Sequence, residues 1–217
     1  MKYTTVLWDL DGTIIDSGPG VFDSFRKTFD EMGVAQPSSA QMRTFLGPPL
    51  RDTFKNVMHF TPEQTEIALG IYRGYYHAGG ALNATEYRGV VDVIRAAHVD
   101  GRSNSLATSK AFAGVKVVGE HFGFLDAFDF LGTADWADNR ISKTDVVTYA
   151  MDGLTKLGAN LDRVILVGDR IHDVEGARAH GIEVALVKWG YGSPAEWAEA
   201  DHLVESPQEL LALLLQE

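Results

Sequence analysis

Short apolar runs ended by Gly, Asp or Lys recur along the chain: Tyr3 to Trp8, Val164 to Val167 within RVILVGD, and Ile182 to Val187. Runs of this length without polar alternation are the pattern of strands covered on both faces, as in a parallel sheet. Between them, apolar positions recur at helical spacing, as over Asp145 to Leu157 and Asp173 to His180. Alternating strands and helices predict an α/β, Rossmann-like three-layer core with a parallel sheet and right-handed crossovers. Three helix starts are explicit. Thr61-Pro62-Glu63-Gln64, Ser193-Pro194-Ala195-Glu196 and Ser206-Pro207-Gln208-Glu209 each place a hydroxyl at the N-cap, proline at N1 and Glu or Gln at N3.

Two stretches depart from the alternation. From about Pro19 to about Thr85 there is no strand pattern, only helical periodicity rich in aromatic residues (Phe22, Phe25, Phe29, Phe54, Tyr72, Tyr75, Tyr76). This predicts a small all-helical insertion directly after the first strand, residues 17–85, with 1–16 and 86–217 forming the core. Ser103-Asn104-Ser105-Leu106-Ala107 should be a sheet strand if the alternation holds, yet it carries three polar residues where burial on both faces favours Val, Ile or Leu.

Composition narrows the class. The 217 residues are 45% hydrophobic and 23% charged, the balance of a folded globular protein. A formal net charge of -11 with no Lys/Arg cluster opposes nucleic-acid binding. The chain has no cysteine, which excludes disulfides, thiolate zinc sites and thiol nucleophiles. No apolar run approaches the roughly 18 residues of a membrane helix, so no membrane partner is expected and a cytoplasmic location is the default.

The chemistry concentrates at strand ends. In VLWDLDGTIIDS, Asp9 and Asp11 lie two apart and share a face past the first strand, with Gly12 permitting the turn. Buried carboxylates are costly, so their presence there asks for a task. A second pair, Asp169 and Asp173, follows VILVG at the four-residue spacing that shares a helix face. Ligands of open α/β sheets collect at this edge. Four crowded carboxylates raise one another's pKa or demand a cation, and oxygen ligands without Cys or a His cluster favour a hard ion such as Mg²⁺. Thr108 and Ser109 offer hydroxyls after the polar strand, and Lys143 offers a point charge at a helix start. Carboxylates, magnesium, hydroxyl and lysine together point to phosphoryl transfer. The bland alternatives are a turn and helix cap for the aspartates and a surface position for Lys143.

Asp9-Leu10-Asp11-Gly12-Thr13, Thr108, Lys143 and Gly168-Asp169-Arg170-Ile171-His172-Asp173 resemble, in order and spacing, the four motifs of the haloacid dehalogenase-like hydrolase superfamily. The helical insertion resembles the small cap of its phosphoglycolate phosphatase-like and β-phosphoglucomutase-like branch. Phe45 to Leu50 and Ala107 to Lys110 look most like phosphoglycolate phosphatase and nucleotidase-like members. The resemblance implies an Mg²⁺-dependent phosphatase acting on a small phosphorylated metabolite (phosphoglycolate, a nucleoside monophosphate or a sugar phosphate), as a monomer or weak homodimer. It implies Asp9 as nucleophile and Asp11 as proton donor and acceptor. Asp9, Asp11 (by its backbone carbonyl), Asp169 and Asp173 would hold the metal. Gly12, Thr108, Ser109 and Lys143 would bind the phosphoryl group.

In the cap, Gly47, Pro48 and Arg51 are candidate substrate contacts, with a helix-breaking turn and an acidic surface as their competing readings. Arg88 and Ala111 depart from the prolines frequent in relatives. Dehalogenases and phosphonatases of this superfamily lack the second aspartate and so differ from this chain at Asp11. Thr13 and Leu50 depart from the mutase pattern, and the complete acidic set argues against a catalytically silent phosphate-binding protein.

Overall fold

A computed structural model describes residues 2–216. The chain runs through β1 (Thr5–Trp8) and the short β2 (Ile15–Asp16) into four helices: α1 (Gly18–Glu31), α2 (Ser39–Arg43), α3 (Leu50–Asp52) and α4 (Pro62–Ala78). After β3 (Thr85–Glu86) strands and helices alternate: α5 (Val90–Val99), β4 (Ser103–Ala111), α6 (Phe112–Phe122), β5 (Phe130–Ala134), α7 (Lys143–Lys156), β6 (Val164–Gly168), α8 (Ile171–Ala179), β7 (Glu183–Val187), α9 (Pro194–Trp197), β8 (His202–Val204) and α10 (Pro207–Leu214). Two compact units result, Met1–Asp16 with Glu86–Glu217 and Ser17–Thr85.

The first unit is the α/β architecture the alternation predicts: a six-stranded parallel sheet in the order β5-β4-β1-β6-β7-β8. β1 is flanked on both sides, so Val6, Leu7 and Trp8 are wholly buried. Its apolar content follows from having no solvent face. Trp8 sits opposite Leu106 on one side and Val167 on the other. This register brings the residues after Trp8 next to Thr108 and Asp169, so three strand ends converge at one edge.

The polar strand has a physical reason. Asn104 is wholly buried; its amide donates to the Ile94 and Ala127 carbonyls at 3.0 and 3.3 Å and accepts the Trp8 indole N–H at 3.1 Å. Ser105 returns its hydroxyl to the Leu106 carbonyl at 2.7 Å. A buried polar group so satisfied costs little and ties β4 to its neighbours.

The second unit packs rings. Phe25 lies 4.8 Å from Phe45, 5.4 Å from Phe54 and 4.7 Å from Tyr72 between centroids, and Phe54 stacks on Phe60 at 5.8 Å. Each such ring contributes roughly 1.5–3 kcal/mol by burial. The predicted capping box forms at α4, where Thr61 accepts from the Gln64 N–H and Gln64 from the Thr61 N–H. Ser193 makes the same box with Glu196 ahead of α9, and Ser206 caps α10 by accepting from the Glu209 N–H.

Candidate active site

Asp9 follows β1 directly, its N–H still in the ladder to the Val167 carbonyl at 2.8 Å. Its carboxylate is held by Lys143, whose Nζ donates to Asp9 Oδ1 at 2.7 Å and to the Ala107 carbonyl at 2.9 Å, and lies 2.7 Å from Asp173 Oδ1. Lys143 is the first residue of α7, and Ser142 with Asp145 caps that helix reciprocally. The cap fixes where the helix begins and therefore where the ammonium reaches.

Asp169 follows β6 and Asp173 lies in the first turn of α8. Asp173 Oδ2 accepts from the Asp169 and Arg170 N–H groups, both at 3.0 Å, closing the turn that carries the pair. Asp169 Oδ2 accepts from the Tyr191 N–H at 2.7 Å. Gly12, at φ +87°, allows this packing: a Cβ there would lie 2.2 Å from Asp169 Oδ2.

Asp9, Asp169 and Asp173 each present a carboxylate oxygen, and those oxygens lie within 4.8 Å of one another. All three residues are at most 8% exposed. Burial, reinforced by the Asp173 and Asp11 charges and opposed by Lys143, pushes the Asp9 carboxyl up to about 6. Burial and then the Asp173 and Asp9 charges raise Asp169 well above the usual carboxylate range. Burial alone would depress Lys143, but Asp173 and Asp9 more than offset it and raise its pKa above the ordinary lysine value.

One ammonium against three carboxylates leaves this cluster short of positive charge, and the buried Asp169 Oδ1 has no hydrogen-bond partner among the described residues. The donor set is all oxygen. These features fit a hard divalent cation.

The structure divides the remaining candidates. The Asp11 side chain lies outside the carboxylate cluster; both its oxygens accept from Lys110 Nζ, at 2.9 and 2.8 Å. Thr108 is buried and its Oγ1 accepts from the Lys110 N–H at 3.2 Å, whereas Ser109 is exposed. His172 turns toward Glu175, 3.4 Å away, instead of toward the acidic pair.

Gly47, Pro48 and Arg51 belong to the helical unit. Gly47 and Pro48 form a bend before α3, and Arg51 pairs with Glu66 on α4. Residues that pattern reading missed are Lys110 and the Trp189-Gly190-Tyr191-Gly192 loop. In that loop the Trp189 indole donates to the Thr13 carbonyl at 3.1 Å and the Tyr191 hydroxyl to Asp16 at 2.8 Å. Their partners lie 99 to 176 residues away in sequence, beyond any local signal.

Residues 6–187 match the haloacid dehalogenase-like hydrolase family. Tyrosine-protein kinase PtkA of Mycobacterium tuberculosis is 35% identical over 187 residues, which are 86% of this chain and 62% of that relative. This chain thus spans under two thirds of the mycobacterial protein. Pyrophosphatase PpaX of Halalkalibacterium halodurans is 30% identical over 99% of this chain and 98% of its own length. A haloacid dehalogenase-like family hydrolase of Streptococcus pneumoniae superposes with a TM-score of 0.88 at 28% identity, over 98% of each chain.

Proposed function

This chain belongs to the haloacid dehalogenase-like hydrolase family, and on that premise we propose that it is a magnesium-dependent phosphatase hydrolysing a small phosphomonoester through an aspartyl phosphate on Asp9. The observation that carries this reading is the Asp9 carboxylate, held by Lys143 at the end of the central strand beside Asp169 and Asp173.

The steps follow from these groups. An Asp9 oxygen attacks phosphorus while the bond to the ester oxygen breaks, and Asp11 gives that oxygen its proton. Water then attacks the phosphoryl group, Asp11 takes its proton, and the bond from phosphorus to Asp9 breaks to release phosphate. Lys143 fixes the rotation of the Asp9 carboxylate and contributes positive charge where phosphoryl oxygens gather. The buried Thr108, in β4 just before its register slip against β5, offers a hydroxyl for the same oxygens.

Asp9, Asp169 and the Asp11 backbone carbonyl would hold Mg²⁺, with Asp173 completing the acidic set. Bound there, the ion would offset the repulsion between an anionic nucleophile and an anionic phosphate.

The test is phosphate release from phosphoglycolate, nucleoside monophosphates, sugar phosphates and pyrophosphate, with and without Mg²⁺. Magnesium-dependent release from at least one phosphomonoester is expected; no release from any overturns the reading. The name of the mycobacterial relative favours a second reading, transfer of a phosphoryl group from ATP to a tyrosine hydroxyl. Incubation with γ-labelled ATP discriminates: label on protein tyrosine supports transfer, and label in free phosphate alone supports hydrolysis.

A further inference from the structure

Lys110 is absorbed by none of the roles above, yet three features hold it in place. β4 slips in register against β5 between Thr108 and Ala111, so Ser109 and Lys110 leave the ladder at the edge where the site lies. Such irregularities re-aim side chains beside active sites. The lysine stem then runs along Gly114 of α6, where an added Cβ would come within 3.2 Å of Lys110 Cγ and 3.4 Å of Cδ. Any larger side chain would push on the stem. Finally the ammonium, on a side chain only 10% exposed, meets both oxygens of Asp11.

The two aspartates past β1 therefore have separate cations. Asp9 takes Lys143, which it shares with Asp173, and Asp11 takes Lys110. Without Lys110, the positive charge gathered around Asp9, that of Lys143 and of any cation the cluster would hold, would attract the Asp11 carboxylate, whose own charge acts on Asp9. A carboxylate drawn into that cluster cannot reach the ester oxygen.

We propose that Lys110 is a positioning residue: through the two-oxygen contact it keeps the Asp11 carboxylate out of the Asp9–Asp169–Asp173 cluster and aligned with the leaving group. The inference rests on the phosphatase reading. When Asp11 gives its proton to the ester oxygen as the phosphorus–oxygen bond breaks, a carboxylate remains, and Lys110 is the cation beside it. The same contact orients that carboxylate for the proton it later takes from water.

The experiment compares Lys110→Met and Lys110→Arg with the unmodified chain on phenyl phosphate and p-nitrophenyl phosphate, scored by kcat/KM with Mg²⁺ present. The two esters are alike in shape, but nitrophenolate leaves without a proton and phenolate needs one. Because kcat/KM covers the steps through loss of the leaving group, a misplaced Asp11 should harm phenyl phosphate far more. Lys110→Met should lose about 10²-fold on phenyl phosphate and about tenfold or less on p-nitrophenyl phosphate, with Lys110→Arg recovering most of the difference.

Equal losses on the two esters, whether through KM alone or with a lowered melting temperature, would mean that Lys110 binds substrate or supports the fold, and would overturn the proposal. An unmodified chain that releases phosphate from neither ester nor from any member of the panel above overturns the phosphatase reading and this role with it.

Discussion

In the sheet unit Asp9, Lys143, Asp169 and Asp173 are at most 8% exposed, whereas in the helical unit the buried side chains among the described residues are apolar, aromatic or hydroxyl-bearing. The helical unit keeps its charges at the surface, as in the Lys27–Asp23 and Arg51–Glu66 pairs. Burying an ion costs several kcal/mol even after relaxation, and an interior of rings, aliphatic side chains and hydroxyls has no need of one. The sheet unit accepts that cost for Arg102, paired with Asp100 ahead of β4, and above all at the opposite edge, where strand ends and two helix starts bring the charges onto each other. The contrast separates a unit built for chemistry from one built for shape.

The sharpest way to test that separation is Asp9→Asn, which should lower turnover by about 10⁴-fold or more with unchanged circular dichroism. Substantial residual phosphate release would remove Asp9 from the nucleophile's role. Next in size, Lys143→Met leaves Asp9 and Asp173 without their shared cation. It should cost about 10²–10³ in kcat and about 3–5 kcal/mol of stability, part of which added Mg²⁺ recovers by replacing the lost charge. A variant as stable as its parent in urea without metal would show that the carboxylates do not depend on the lysine.

The counterpart in the helical unit is Phe54→Ala. Phe54 is wholly buried among Phe25, Phe29, Phe60 and Tyr72, and its truncation should cost about 3–5 kcal/mol. Hydrogen exchange should then show protection lost across residues 17–85 and kept in the sheet strands. Loss in both units alike would mean that they unfold as one.

The smallest effect belongs to Glu196, which accepts from Arg170 Nε at 2.9 Å and from the Ile171 N–H at 3.0 Å. Burial alone would raise this carboxyl, but the Arg170, Ile171 and Ser193 hydrogen bonds outweigh it and pull it down to about 2. A depressed carboxylate stabilises the fold above its unfolded value of 4.5, and that contribution fades as pH falls toward 2. Glu196→Gln should therefore lower stability by about 1 kcal/mol at pH 7, and the urea midpoints of the two proteins should draw together below pH 4.5. A gap that stays constant with pH would contradict this assignment.

What could be read from the chain divides along the same physical line. The α/β sheet and the capped helix starts are legible because their determinants are local: apolar runs bounded by Gly or Asp, and hydroxyl-Pro-x-Glu/Gln boxes. The acidic pairs are legible as spacings, two apart on a strand and four apart on a helix. β5 and β8 escape notice because Phe130–Ala134 holds a glycine and only partial burial at its start, and His202–Val204 buries a single side chain. Asn104 looks out of place in a strand until Trp8, Ile94 and Ala127 are found around it. Lys110 enters the sequence reading only as the last residue of the Ala107 to Lys110 resemblance, with no role of its own, since neither the register slip nor the room above Gly114 leaves a mark in a pattern of residue types.

The central claim is that Asp9 takes the phosphoryl group, and trapping that state tests it most directly. Asp11→Asn, which should still accept phosphate from p-nitrophenyl phosphate but hydrolyse the adduct slowly, is mixed with that ester and Mg²⁺, quenched in acid and digested for mass spectrometry. The account predicts one phosphoryl group on the peptide that spans Val6 to Ser17, placed on Asp9. Phosphate released with no phosphoryl group on that residue, or with the group on another side chain, would contradict it.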